Sequence, residues 1–385
     1  MEIFCKSFRE NCNMGGRQTC IPLGAIRPEK DRSLLARKHW EQWQNRKGGR
    51  MAERNDILEK KTWKKSRLTV RILRLAAIGV LLYGVYMMAL LLISDKLQVT
   101  EENNYYTQLA LEWTTPNVRG AHGFEEEAIS PFGTSEFSYP LIRKVGKGQE
   151  VVGEAQVKKR LLNSQSTIEY HTPFRDGLQQ TAFYYPEDPR NGNSLEAPGH
   201  PEVWSTLEQL HEGAVAELAF STDRFMTPEE LITELEAYDL DILWMPLHTG
   251  EFEEFTPGAW GGGGTDLTVN TVFGLTGGQS ASDDFQSFSF IHRLDAETLQ
   301  DSEEMMMNNI EELLEKKPVS YYERFLGLRF LEKRYKYLEE NGFQAYGAVV
   351  TGPVKELLKL KDEAAVTGER LGQVELWNWE NAEAF

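Results

Sequence analysis

One run of residues limits what this chain can be. Residues 75–94, LAAIGVLLYGVYMMALLLIS, carry no charge. As a helix they extend about 30 Å, the thickness of a bilayer's hydrocarbon core. The same run as a buried helix of a soluble domain fits poorly, because the chain has no other long apolar stretch. A cleaved signal peptide fits poorly too: its apolar core is shorter and starts near the N-terminus, whereas 74 residues precede this one and no Ala-x-Ala follows it. Gly79 and Gly84 are spaced by five, so they do not form a GxxxG pairing face. The run is expected to be one uncleaved transmembrane helix.

The flanks give it a direction. Lys60, Lys61, Lys64, Lys65, Arg67, Arg71 and Arg74 lie just before it, opposed by Glu59, while Asp95, Glu101 and Glu102 follow it. Basic residues beside a span stay on the cytoplasmic side, where they also meet anionic lipid. The expected location is therefore the cell membrane, crossed once, with the N-terminus in the cytoplasm and the C-terminal domain outside. Charge divides at the same point. Residues 1–74 hold 19 Lys and Arg against 8 Asp and Glu, and the remainder 23 against 51. The basic arm suits anionic lipid or an acidic protein. No helix-turn-helix or finger pattern accompanies it, and the acidic remainder repels nucleic acid, so no direct nucleic-acid partner is expected.

Cysteine use narrows the chemistry. Cys5, Cys12 and Cys20 all fall in the first 20 residues. The large domain therefore has no disulfides and must hold itself by its core, for which it is long enough. The cysteine spacings match no zinc pattern, so no metal and no cofactor is expected. Residues 1–50 have little apolar periodicity and are expected to be disordered. Met51 follows Lys47, Gly48, Gly49 and Arg50, which a purine-rich ribosome-binding sequence encodes, so the natural protein is expected to begin at Met51.

From there, residues 51–74 form a basic cytoplasmic arm. Ile57, Leu58, Trp63, Leu68, Val70, Ile72 and Leu73 interleave with the cations, which predicts a short amphipathic helix running into the span. The candidate partner-binding residues are Ile57, Leu58, Trp63, Leu68, Ile72, Lys60, Lys61, Lys64, Lys65 and Arg67. The alternative is an arm whose charges only set topology.

The expected fold class is α+β: a single transmembrane helix followed by a mixed α/β extracytoplasmic domain. That domain divides at a Pro-, Gly- and Asn-rich loop, residues 185–201, into a membrane-proximal region, 95–203, and a C-terminal part, 204–380. In the first region residues 105–113 fit a helix or a strand, and 130–139 and 154–160 give no decided pattern. In the second, AVAELAF at 214–220 alternates around Glu217 and predicts a strand. Thr227, Pro228 and Glu230 make a capping box that starts a helix. Residues 242–247 predict a strand that Pro246 consigns to an edge or a bulge. Helices are predicted over 302–316 and 321–340, the second ended by Gly342. A strand over 343–350, a short helix from Gly352 and Pro353 to Leu360, and a last strand over 374–379 complete the pattern.

No catalytic constellation stands out. GxSxG and HExxH are absent. The glycines at 261–264 are followed by Thr265 and Asp266 instead of the Lys-Ser/Thr pair of a phosphate loop, so they fit a flexible surface loop. His248, with Asp241 and Glu251 near it in sequence, is the nearest thing to a site, and fits better as a satisfied loop histidine. The chain is expected not to be an enzyme.

The segments GAVAELAFS at 213–221, TPEEL at 227–231, LWMPLHTG at 243–250, YGAVVTGP at 346–353 and VELW at 374–377 resemble the sigma-factor-regulator C-terminal domain of membrane anti-sigma factors of Gram-positive bacteria. The likeness covers roughly residues 204–380. Residues 59–95 resemble the family's N-terminal region more loosely. The resemblance implies an anti-sigma factor whose inner arm holds an extracytoplasmic-function sigma factor at the membrane, while the outer domain responds to an envelope signal. A second membrane protein is left open as a further partner. The zinc-containing anti-sigma domain is not matched, because its His-x3-Cys-x2-Cys is absent. The alternative is a membrane-anchored extracellular ligand-binding or cell-wall module with no sigma partner.

Overall fold

The computed structural model describes residues 32–376 and 379, apart from 98, 122, 124, 128–129, 161–165, 173–180, 263 and 292. The three cysteines lie outside that range. The chain forms two compact units, residues 1–83 and 84–385. What is described of the first unit is helix, part of α1 (Arg32–Leu97). Residues 32–50, expected without structure, are helical. The run includes Leu34, Leu35, Ala36, Arg37 and Lys38, all good helix formers. Within α1, Arg67–Leu92 is long and apolar enough to cross a membrane. Its side chains are exposed, with only Met87 and Leu90 half-buried. A core helix of a soluble protein would have buried them.

The second unit begins in the last turns of α1. Helix α2 (Val99–Thr114) follows and is buried at every position from 103 to 113. Its mixed polarity left helix and strand undecided in the sequence, because a helix covered on all sides has no apolar stripe. Several of its polar groups find partners instead. Tyr105 donates to the Asn309 Oδ1 at 2.6 Å, Tyr321 to the Asn103 Oδ1 at 2.9 Å, and the indole N–H of Trp244 to the carbonyl of Glu112 at 2.8 Å.

The first sheet is antiparallel. It contains β1 (Arg119–Gly120), β2 (Glu125–Glu127), β3 (Thr134–Val145), β4 (Gly148–Arg160) and β5 (Thr167–His171), with β1 and β2 both pairing with β3. Buried and half-exposed residues alternate almost strictly along β3, as one-sided burial requires. The loop at 185–201 holds a small hairpin, β6 (Glu187–Asp188) with β7 (Asn193–Ser194), and leads to α3 (Pro201–Gln209).

The central sheet begins with β8 (Ala214–Met226). Then come α4 (Pro228–Leu235), β9 (Asp241–Leu247), the hairpin of β10 (Trp260–Gly261) and β11 (Thr268–Val269), and β12 (Phe273–Thr276). A third hairpin, β13 (Gln279–Ala281) with β14 (Phe288–Phe290), precedes α5 (Leu299–Lys316) and α6 (Leu331–Asn341). The chain ends with β15 (Ala345–Pro353), α7 (Val354–Lys359) and β16 (Val366–Leu376). The five strands of this sheet run β12-β9-β15-β8-β16, each neighbour antiparallel. The domain is thus mixed α and β.

The capping box forms as expected. Thr227 Oγ1 accepts from the Glu230 N–H, and the Glu230 carboxylate accepts from the Thr227 N–H. Gly342 caps α6 at φ +74°, a conformation glycine adopts without strain. Two expectations need correction, and a third holds in one of its two forms. Pro246 lies inside the sheet, between β12 and β15, not at its edge. The bulge is there, since the β9–β15 register shifts between Ala345 and Val349. Residues 321–340 are not one helix. A π-helical turn, Ser320–Phe325, ends before Gly327 (φ +78°) and Phe330 (φ +59°), and α6 starts after them. The alternation around Glu217 is not one of buried and solvent-facing residues, because β8 is covered on both faces and every position from 214 to 222 is buried.

Trp244 ties α2 to the central sheet. Its ring lies 5.5 Å from that of Phe183 and fills the space over Gly274, where a Cβ would come within 2.1 Å of it. Trp244→Ala should cost about 3–5 kcal/mol, read as a lower urea midpoint of the tertiary signal of the domain. An unchanged midpoint would show that this junction does not hold the fold.

Candidate functional site

Two places gather functional side chains, one in each unit. The first is the arm portion of α1. With about 100° between residues, Ile57, Leu68 and Ile72 fall within about 60° of one another, with Lys61 and Lys65 on the same side. Trp63 falls on the other side. Leu58 lies near the edge of the first group. All of these side chains are exposed. The arm is therefore helical, with apolar residues on two sides and cations between them. Lys60 pairs with Asp56 one turn earlier at 2.7 Å, an exposed pair of small energetic weight. The guanidinium of Arg67 stacks over the Trp63 ring at 3.5 Å, which holds that indole flat along the helix. Lys64 lies in the same helix, and its side chain is outside the described residues.

The second place is the buried cluster around His248. Asp241 is not part of it. Its carboxylate instead takes Lys144 and Lys147 at 2.9 and 2.8 Å, which joins the β3–β4 hairpin to β9. Glu251 is the hub. Arg334 of α6 donates to Glu251 Oε1 and to Thr249 Oγ1. The Thr249 N–H reaches Glu251 Oε2 at 2.7 Å, and the Thr249 hydroxyl reaches Oε1 at 2.8 Å. His248 shares Glu253 Oε1 through Nε2 at 3.1 Å, and its Nδ1 stands 3.4 Å from Glu251 Oε2, an ion-pair distance. The rings of Phe225, Tyr337 and Tyr185 enclose the imidazole at 5.0 to 5.7 Å. Arg334 and the three rings were beyond sequence reasoning, because they arrive from distant segments, Arg334 from 83 residues away.

Burial alone would lower the proton affinity of His248, but the Glu251 and Glu253 carboxylates outweigh it and hold the pKa above its ordinary 6.5. Burial would raise Glu251, but the Arg334 charge, then His248, keeps it well below the usual carboxylate range. The cluster has no route for a substrate, since His248, Glu251 and Arg334 are at most 3% exposed. It clamps α6 to the end of β9. Beside α2, a cavity of about 10 Å³ lined by Glu112, Gln279, Ser302 and Asn309 has room for one water molecule and no larger ligand. Burial, only partly offset by Arg119, raises Glu112 to about 7. Among the described residues no group of His, Cys, Asp and Glu is arranged to hold a metal.

Among the described residues the molecule has a packed core, an exposed basic helix and no open reaction centre. It belongs to the sigma factor regulator family. The family's N-terminal model matches residues 57–150 and its C-terminal model residues 207–373. The chain is 24% identical over 270 residues to the probable anti-sigma-M factor YhdL of Bacillus subtilis (strain 168), a likeness that covers 69% of this chain and 67% of that protein. No solved structure matches. Family membership agrees with the expectation of a regulator that is not an enzyme.

Two tests bear on the buried cluster. Arg334→Met should cost about 3–5 kcal/mol, because it leaves the Glu251 charge buried and uncompensated. Adding Glu251→Gln should restore much of the loss in the same urea titration. The His248 pair stabilises the fold fully below pH 6.5 and is lost as pH rises through the raised folded value. Wild-type stability should therefore fall as pH rises above 6.5, and His248→Gln should flatten that slope. A wild-type curve parallel to that of the variant would remove the assignment.

Proposed function

We propose that the chain is a membrane-anchored anti-sigma factor. Helix α1 crosses the cell membrane once, with the arm at residues 51–74 inside and the α+β domain outside. The arm holds an extracytoplasmic-function sigma factor at the inner face of the bilayer, and the outer domain responds to an envelope signal. One observation carries the reading. In a chain of this family, a single helix joins an exposed, basic, partly apolar arm to the only stretch among the described residues long and apolar enough to cross a membrane. The cations before residue 75 favour the inner side for the arm. The relative's description as a probable anti-sigma-M factor adds support.

The chemistry of the arm suits such a partner. Lys61, Lys65 and Arg67 steer an acidic surface, while Ile57, Leu68 and Ile72 on one side, and Leu58 and Trp63 beyond, offer apolar area to bury. An arm that only set topology would need its charges alone. Truncating Trp63 and Leu68 leaves every charge in place, so it separates the two roles.

The test is a pull-down from membranes with the wild-type chain and with Trp63→Ala, Leu68→Ala. Loss of a buried aromatic costs about 2 kcal/mol, roughly thirtyfold in affinity, so the sigma factor should be recovered with the first and lost with the second. Equal recovery would show that these side chains are not the contact, and no sigma factor with either would favour an anchored extracellular module. In parallel, a reporter active only outside the cytoplasm should work when fused after the last residue and fail after residue 60. The reverse pattern would overturn the topology.

A further inference from the structure

The turn between β2 and β3 is built unlike a surface loop. Its tip is Pro131 and Phe132, and Phe132 is 89% exposed. Loop tips in water are usually small and polar, and this one is apolar and tightly organised. The Gly133 N–H donates to the Ser130 carbonyl at 2.9 Å, and Gly133 takes the left-handed φ of +69° that the turn requires. The Ser130 N–H donates to the Thr134 carbonyl at 2.9 Å, and the Thr134 N–H to Ser130 Oγ at 3.1 Å.

The location of the turn is equally informative. The hydroxyl of Tyr86, on α1, donates to the carbonyl of Pro131 at 2.9 Å. Tyr86 lies eight residues before the apolar run ends at Ser94, about 12 Å along the helix. Met87 and Leu90 are half-buried while most of the run around them is exposed. At the start of β3, the buried pair Thr100 Oγ1 and Ser135 Oγ, 3.1 Å apart, fixes the strand to α2. The turn therefore lies alongside the apolar run instead of beyond its end.

Irregular backbone at membrane depth is tolerated only where its polar groups are satisfied by protein. That condition is met at Pro131. Pro131 has no N–H to satisfy, and its carbonyl accepts from the Tyr86 hydroxyl. The same bond gives Tyr86, a polar residue within the apolar run, its partner. We propose that the turn at residues 130–134 enters the outer leaflet beside α1, with Phe132 among the lipid acyl chains. The surface is thus a second, monotopic contact between the domain and the bilayer. It rests on the reading that α1 spans the membrane with the domain outside.

The test is spin-label depth measurement on the full chain in phosphatidylcholine vesicles. Cys5, Cys12 and Cys20 are first replaced by Ser, and a label is placed by Phe132→Cys, by Val80→Cys within the run, or by Glu212→Cys. Glu212 lies two residues before β8, whose Val215 clusters with Val145 at the far end of the twelve-residue β3, about 40 Å from the turn. Phe132 and Val80 are exposed, so the labels displace no packing. Oxygen should collide with the label at 132 in preference to a water-soluble nickel chelate, by a ratio several-fold above that at 212 and in the direction of that at 80. A ratio at 132 equal to that at 212, with 80 shielded from the chelate, overturns the lipid contact and leaves the span standing. Chelate access at 80 overturns the span and the contact together.

Discussion

The whole domain depends on helix α2 being buried around its full circumference. Residues 103–113 have no solvent-facing side, and the helix touches β1 and β3 of the first sheet and β12 of the central one. A helix in that position must carry apolar bulk on every face and still satisfy its own polar side chains. Tyr105, Tyr106, Leu109, Leu111 and Trp113 supply the bulk. Asn103, Asn104 and Gln108 are kept because each has a partner: Tyr321 for the first, and each other for the second and third. The same core continues through β8, β9, β15 and helices α5 to α7. Segments on either side of the loop at 185–201 are therefore packed as one body.

Buried ion pairs set the remaining geometry. Glu217 in β8 faces Arg143 of β3 at 3.8 Å, Asp241 takes two lysines of the same hairpin, and Glu251 takes Arg334. Each acid sits on a central-sheet strand or its continuation, and each cation comes from an element laid across it. Desolvating such charges is unfavourable unless they are paired, so the pairs act more as constraints on which element packs where than as sources of stability. Burial pushes Glu217 up against the pull of Arg143, which makes this pair the least comfortable of the three.

How much of this was legible in the sequence followed from how local each signal is. The capping box at Thr227, the cap at Gly342 and the strands β8, β9 and β15 rest on neighbours within a few residues, and they formed close to where their patterns fall. The break at Gly327 to Phe330 was missed because a stripe of Phe325, Leu328, Leu331 and Leu338 suits a continuous helix, while the π-turn that redirects it depends on Tyr321 and Phe325 packing elsewhere. Of the two settings Pro246 allowed, the bulge formed and the edge did not, because the short strand β12 that covers that side offers only Phe273 to Thr276 as a signal. At the candidate sites, the arm residues could be named from charge and apolar interleaving, but their division onto two sides of the helix emerges only from residue spacing taken over several turns. Arg334 gave no local sign of its buried role.

The boundary between α1 and α2 also bears on how such chains can be recombined. The join lies between Leu97 and Val99, and the residues of the domain's main core all come after it. A chimera that exchanges sensory domains between two relatives keeps its core intact if it is cut at that join. A cut placed after Thr114, where the helix ends and the sheet begins, would leave one parent's central helix inside the other parent's strands, with eleven buried positions to re-match at once. Modular exchange along this fold is therefore set by the helix boundary and not by the point where the chain leaves the apolar run.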